Sequence, residues 1–332
     1  MTNYSNTIQA GVTILLIIAV GYICCKFNII KQKEFGYFNL FLAKNCFFFL
    51  IFRSLAGKDI RDLDWRPFAI SVLMTFSVYI VALPLLLFPF KDRLGTYIAT
   101  VFPAVYINYV ISGLPIFLSL WDESDISVIT VILLSNDMLG SPVFFILTNI
   151  REIMMENREL EKAGKPKRKF SAKIFLEILL RLVQNMFLIG IAAGLIYSAF
   201  AWNVCTFLSQ LQSLLGDCVL PFALFNVGAF LSQQSLFACH WLQFVFCAFL
   251  RLLVGPFFSL LFCLALKIPN KMARQCIVLT SQQTAVVCFT LTQNAKIGAG
   301  VSSTMILWSC VLMVPAIIFW LFILDKLNLF VD

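Results

Sequence analysis

The sequence predicts an all-α, polytopic membrane protein: ten transmembrane helices arranged as two inverted repeats of five. Three observations predict it. Of 332 residues, 61% are hydrophobic and only 13% are charged, against roughly 25% charged in an average soluble domain. That apolar content supplies about ten stretches of about 20 residues, the length that crosses a bilayer. Hydrophobic letters also recur along the chain at one constant offset, that from position 14 to position 187. The composition excludes a soluble globular enzyme, a nucleic-acid-binding protein and a disordered chain. The net charge of +8 is read as loop charge that sets orientation, not as a DNA-binding surface.

Ten apolar segments follow in order: 8–25, 37–55, 67–90, 94–120, 126–150, 174–200, 204–231, 238–266, 272–293 and 297–324. The first lacks a basic leader and reappears later in the chain, so it is a span and not a signal peptide. The polar stretch 151–173 divides the segments five and five. The domains are therefore a first repeat (1–150), a cytosolic basic linker (151–173) and a second repeat (174–332). Lys165, Lys167, Arg168 and Lys169 in the linker are solvated or lie against a membrane surface. With the N-terminus outside, inner loops hold fourteen Lys and Arg and outer loops six. Both termini are thus expected on the non-cytosolic side, in a plasma membrane or an endomembrane. The acidic loop Asp122, Glu123, Asp125 falls on that side too. So does the Asn3-Tyr4-Ser5 sequon, too near the first span to carry a sugar.

The repeat is read from ILLIIAVG at 14–21 and FLIGIAAG at 187–194. The same offset pairs Phe27 with Phe200, Phe52 with Phe225, Phe76 with Phe249, Leu118 with Leu291, Val128 with Val301 and Pro142 with Pro315. Five is odd, so the second copy enters the membrane from the opposite side. Inverted repeats of this kind build secondary transporters, which bind substrate near the midplane at broken helices. The chain has no P-loop, so nothing points to ATP.

The fourth segment holds Pro103 and then Asn108-Tyr-Val-Ile-Ser-Gly113-Leu-Pro115-Ile116. Proline removes a backbone N–H and glycine lets the chain unwind. The segment is either a broken helix beside a cavity or an ordinary proline kink. The ninth segment carries four polar residues in a row, Ser281, Gln282, Gln283 and Thr284. They are hydrogen-bond donors for a bound carboxylate or glue between helices. The repeat offset maps Asn108 onto Ser281, which sets this run across the pseudo-axis from the Asn108–Gly113 stretch.

Two ionisable residues fall deep in spans, where each costs at least about 2.5–3.5 kcal/mol on insertion scales. They are Asp137, beside Asn136 in the fifth, and Arg251 in the eighth. Asp137, Asn136 and Arg251 are candidates for sensing substrate charge or a proton; a buried Asp137–Arg251 pair is the structural alternative. Lys44 and Asp217 are equivalent positions under the repeat offset and are expected to form a structural ion pair. Glu177 and Arg181 at spacing i, i+4 read as a helix-surface pair without function.

The 11 cysteines lie mostly in apolar runs, no CxxC pair occurs, and His240 is the one histidine. They read as small buried hydrophobes. No metal, no cofactor and no catalytic constellation is expected, so the chain is not read as an enzyme.

The motif N-x4-G-[IL]-P-[IL], present as Asn108, Gly113, Leu114, Pro115 and Ile116, resembles that of the auxin efflux carrier family of plant PIN-type and microbial membrane transporters. Leu220-Pro-Phe-Ala-Leu-Phe-Asn-Val-Gly228, Arg251-Leu-Leu-Val-Gly-Pro256 and Val314-Pro315 extend the resemblance over nearly the whole chain. It implies a dimerising scaffold of spans 1, 2, 6 and 7 and a moving unit of spans 3–5 and 8–10. It implies that spans 4 and 9 cross beside the substrate, and that a small organic anion, auxin-like or another carboxylate, is exported by an elevator-type movement. The substrate site would comprise Asn108, Gly113, Pro115, Ser281, Gln282, Gln283 and Thr284. The partners expected are that anion, the lipid bilayer and a second copy of the chain, with no nucleic acid. The ninth span has no proline, Gln283 standing about where one would be, and the third has no charged pair; the resemblance is to a non-plant-like member. The competing readings are a non-transporting sensor or receptor with the same fold and a sodium-coupled bile-acid-type symporter.

Overall fold

A computed structural model describes residues 4–56, 63–166, 173–200 and 204–331. Lys58, Arg61, Lys167, Arg168, Lys169 and the sequon residue Asn3 lie outside them. Helix α1 spans Tyr4–Lys26; α2 (Gln32–Phe41) and α3 (Phe47–Leu55) form the second apolar element, and α4 spans Arg66–Val81. Then come α5 (Arg93–Val105), α6 (Gly113–Leu120), α7 (Ser127–Ser135) and α8 (Ser141–Lys162). The second half holds α9 (Lys173–Val183), α10 (Met186–Ala199), α11 (Thr206–Asp217), α12 (Val219–Leu231) and α13 (Trp241–Phe249). It ends with α14 (Gly255–Ala265), α15 (Asn270–Thr280), α16 (Val287–Asn294) and α17 (Ala299–Lys326).

Among the described residues, seven helices are long and apolar enough to cross a membrane, eight if α9 and α10, bent by 62°, count as one span. The other two expected segments, 94–120 and 272–293, are each split, as α5/α6 and α15/α16, so neither offers one continuous helix. Side chains such as Leu16, Val20, Phe76, Ile80 and Phe322 are exposed, as on helices that face hydrocarbon. Helix α8 continues to Lys162, so the stretch expected as a linker from 151 begins as helix. There Arg151 Nε meets Asp92 Oδ2 at 2.6 Å, and Asp92 Oδ1 caps α5 through the Gly95 N–H.

Three five-residue π-helical turns interrupt the spans: Leu42–Cys46, Asn136–Gly140 and Leu250–Val254. Two have a visible cause. Pro142 and Pro256 sit just beyond the second and third, and a proline ring displaces the carbonyl four residues back. The widened turn absorbs that displacement. Both ionisable residues singled out from the sequence, Asp137 and Arg251, lie in these turns and are buried.

Most of the helices pack as two groups: one holds α1, α2, α3, α10, α11 and α12, the other α4 to α8 and α13 to α17, with α9 touching both through α10 and α8, and α1 packing across on α6 and α17. Glycines set the closest approaches in the first. The Phe225 carbonyl passes Gly21 and the Ile18 carbonyl passes Gly228, each where a Cβ would stand. Such approach lets van der Waals packing drive association in lipid, which offers no hydrophobic gain.

The expected Lys44–Asp217 pair does not form. Asp217 Oδ1 accepts from Arg53 Nη1 at 3.0 Å, and Lys44 is exposed. The repeat offset gives the axial level of a residue but not its face, and Lys44 sits in the first π-turn, facing away. Arg53 also lies 3.6 Å from Glu123. Lys44→Met should therefore leave membrane yield unchanged. Gly228→Ala, by contrast, drives a methyl into the Ile18 carbonyl and should cost about 1–3 kcal/mol. Gly36→Ala, with open space around it, is the control. Melting of each variant in detergent, followed by size-exclusion fluorescence, checks all three.

Candidate functional site at the crossing of two unwound segments

Between α5 and α6, and between α15 and α16, the chain unwinds and the two stretches meet as a short antiparallel bridge, Ile107 opposite Thr284. The Asn108 N–H donates to the Gln283 carbonyl at 2.9 Å and the Ala285 N–H to the Tyr106 carbonyl at 3.0 Å. In such a pair the groups of Ile107 and Thr284 themselves point outward. Side chains receive them. Asn136 Nδ2 donates to the Ile107 carbonyl at 2.6 Å, and its Oδ1 lies 3.4 Å from the Ile107 N–H. Ser309 Oγ accepts the Thr284 N–H at 3.0 Å. The broken fourth segment is therefore an unwound crossing and not a proline kink. The ninth breaks without a proline because the bridge holds its backbone.

Each unwound stretch follows a helix whose last carbonyls have no partner within that helix. Arg251, fully buried, supplies it for both. Its Nη1 donates to the Ala104 carbonyl (3.1 Å), Nη2 to Thr280 (3.0 Å) and Nε to Gln282 (2.9 Å), with a further short Nη2 contact to Gln282. A cation at two helix C-termini is favoured by their dipoles. The Asp137–Arg251 pair is thus not formed, and the guanidinium is committed to backbone rather than to a ligand. The proline carbonyl of Pro103 takes Thr284 Oγ1 at 2.8 Å.

The expected donor set divides in two. Ser281 Oγ turns back to the Ile277 carbonyl at 2.8 Å, and Thr284 is committed to Pro103, so both hydroxyls serve the crossing itself. Asn108 Oδ1 accepts the Ile111 N–H at 3.1 Å, but its Nδ2 has no partner. Gln282 Oε1 and both polar atoms of the Gln283 side chain also lack partners, although all three residues are buried. Gly113 opens α6, with Gln282 beside it, and Pro115 occupies the first turn, where its missing N–H costs nothing. Asp137 lies apart, on the far side of Asn136, with Tyr106 Oη 3.4 Å from Oδ1.

The sequence reading missed Ser309, which the offset from Asn136 would have found. It also missed the Ser71–Tyr109–Ser135 hydroxyl cluster (2.8 and 2.6 Å) that ties the third span to this layer.

Two unwound spans crossing at buried polar side chains within a bundle of apolar helices is transporter architecture. Residues 7–321 match the model of a family described as membrane transport protein, that of the auxin efflux carriers. The chain belongs to this family. It is 20% identical to auxin efflux carrier component 8 of Arabidopsis thaliana, over 96% of this chain and 98% of that one. It is a multi-pass membrane protein.

Arg251→Met strands three carbonyls at roughly 1–3 kcal/mol each. It should abolish monodisperse protein on size exclusion. Arg251→Lys keeps the charge but not the planar fork, and should recover only part of the yield.

Proposed function

We propose that this chain exports a small organic anion, auxin-like or another carboxylate, by moving its ten-helix group against the α1–α3, α10–α12 group. One observation carries the reading. Four buried polar atoms at the crossing, Asn108 Nδ2, Gln282 Oε1, Gln283 Nε2 and Gln283 Oε1, have no protein partner. A buried polar atom left unpaired costs roughly 1–3 kcal/mol, so such a group marks where a ligand docks. The two amide nitrogens are neutral donors suited to a carboxylate. The helices α6 and α16 begin just beyond the crossing, with N-termini that favour an anion.

The inverted repeat is supported by contacts that recur at the sequence offset. Gly21 against the Phe225 carbonyl has its counterpart in Gly194 against that of Phe52, and Asn136 on Ile107 in Ser309 on Thr284. The offset seen between positions 14 and 187 relates Gly21 to Gly194, Phe52 to Phe225 and Asn136 to Ser309; the bridged residues Ile107 and Thr284 stand four positions further apart than that. The helices after the two breaks restart at Gly113 and Val287. Dimerisation through the smaller group follows from the family resemblance. The basic count supports both termini on the non-cytosolic side.

Flux of labelled organic anions into vesicles holding the purified protein, with and without a pH gradient and sodium, tests the reading. Asn108→Ala and Gln283→Ala should each weaken affinity about tenfold, the effect of losing about 1–2 kcal/mol of hydrogen bonding to a charged group. Yield should stay near normal, since neither change strands a charge. Full affinity in both variants for a transported anion would move the site elsewhere.

A further inference from the structure

Beside the crossing, an inlet runs between α8, α9 and α16. Its outer part, about 430 Å³, is bordered by Asn149, Glu152, Glu177, Arg181 and Asn294. Its inner part, about 210 Å³, reaches Tyr106, Asp137, Ser141 and Asn185. Phe145, Ile178, Arg181 and Leu291 border both parts, so the two adjoin. The inlet ends at a carboxylate that is 8% exposed.

Asp137 is poorly held for an anion within a span. Tyr106 Oη is 3.4 Å away and is itself engaged by Ser141 Oγ at 3.2 Å. Asn185 presents its amide. No Lys or Arg forms an ion pair with Asp137 among the described residues. Among the described residues, the one cation on the inner walls, Arg181, lies over the Phe145 ring at 4.5 Å. The titratable and charged groups facing Asp137 are thus Tyr106 from the unwound segment and Arg181 from α9. Glu152 of α8 and Glu177 of α9 stand further out, and Cys288 of α16 lies behind Tyr106. A carboxylate at this depth with weak neutral partners is held most easily with a proton. Two further carboxylates at the mouth concentrate cations, not anions, there.

Among the described residues, the repeat-equivalent positions at the opposite end carry different side chains. At the positions equivalent under the repeat offset, Asp137 becomes Cys310, Ser141 Val314, Asn149 Phe322, Arg181 Ile8 and Asn185 Val12. Cys310 is buried and Val314 fills the space beside Gly11. Tyr4 Oη closes on Asp325 at 2.5 Å, and Arg274 pairs with the same carboxylate. This comparison rests on the repeat proposed above; the inlet and its carboxylate do not.

We infer that Asp137 is a proton-binding site reached from one side of the membrane only, the side to which α8 extends, through the inlet guarded by Glu152 and Glu177. The step is simple: a proton enters along the inlet and joins one Asp137 oxygen, and it leaves the same way.

The test needs no substrate, so its failure and the failure of the anion reading are separate. Infrared difference spectra of the purified protein in lipid nanodiscs are recorded from about pH 4 to about pH 9, spanning the ordinary carboxylate range. A protonated-carboxyl band component present in the unsubstituted chain, absent in Asp137→Asn and shifted in frequency in Asp137→Glu is expected above the background of the other carboxyl groups. Spectra of the unsubstituted chain and of Asp137→Asn that superimpose at every pH overturn the proposal. Loss of the band on adding sodium at fixed pH overturns it too, in favour of a metal-cation site. Sidedness is read on Asp137→Cys in sealed, oriented vesicles with a membrane-impermeant thiol reagent, the unsubstituted chain with its 11 cysteines giving the background. Reaction from the α8 side alone is expected; equal reaction from the other side refutes a one-sided site. Glu152→Gln with Glu177→Gln should slow proton uptake roughly tenfold by removing the local field, with the band retained. An unchanged rate would remove the mouth residues from the proposal.

Discussion

The guanidinium of Arg251 is the piece on which the rest of the structure depends. Two helices end in mid-membrane, and each leaves carbonyls that neither water nor lipid can satisfy. Arg251 reaches Ala104 on one side and Thr280 and Gln282 on the other, so one side chain closes both breaks. Burying a charge is costly unless it is fully hydrogen-bonded. Here the carbonyls provide that bonding, and the dipoles of α5 and α15 add to it. Pro256 widens the eighth span at the turn that carries Arg251. The ninth span then needs no proline of its own.

Much of this was legible in the sequence. Hydropathy placed the apolar segments, because spans must be apolar over a fixed length. Gly113 and Pro115 located the fourth-span break, and the polar run 281–284 located its partner, because both violate the apolar rule locally. What the sequence could not supply was facing. Lys44 and Asp217 share an axial level but not a side, and Arg53 takes the carboxylate instead. Nor could it divide the polar run into hydroxyls that hold the backbone and amides with atoms left unpaired. That division depends on which carbonyls the crossing leaves open, Pro103 and Ile277, and these follow only from the three-dimensional path.

The commitment of Arg251 to backbone has a chemical consequence. The crossing contains a fixed positive charge, yet presents none of it. The polar side-chain atoms left without partners at the crossing belong to amides, those of Asn108, Gln282 and Gln283, and amides both donate and accept. The proposed site would therefore discriminate by shape and by the count of hydrogen bonds rather than by net charge alone.

Contacts between the two helix groups complete the argument. Among the described residues, polar ones occur at the Tyr4 end, where Tyr4 meets Asp325, Asn6 the Ser119 carbonyl, Arg53 Glu123 and Ser54 Thr130, and at the α8 end, where Asn185 meets Asp137. Arg53 and Glu123 are exposed enough that their pair contributes about 0–1 kcal/mol. At the α8 end the inlet lies between α8, α9 and α16, beside the Asn185–Asp137 contact. Within each group, by contrast, backbones touch at Gly21 and Gly228 and the crossing is tied through Arg251, Asn136 and Ser309. The boundary itself is largely apolar: Ile14 and Ile18 of α1 share one buried cluster with Ile116 of α6 and Ile306 and Met313 of α17, and Gly11 packs on Val314. Apolar packing has no direction, so the proposed movement along that boundary can exchange one set of such contacts for another, whereas the hydrogen bonds of the crossing move with their own group.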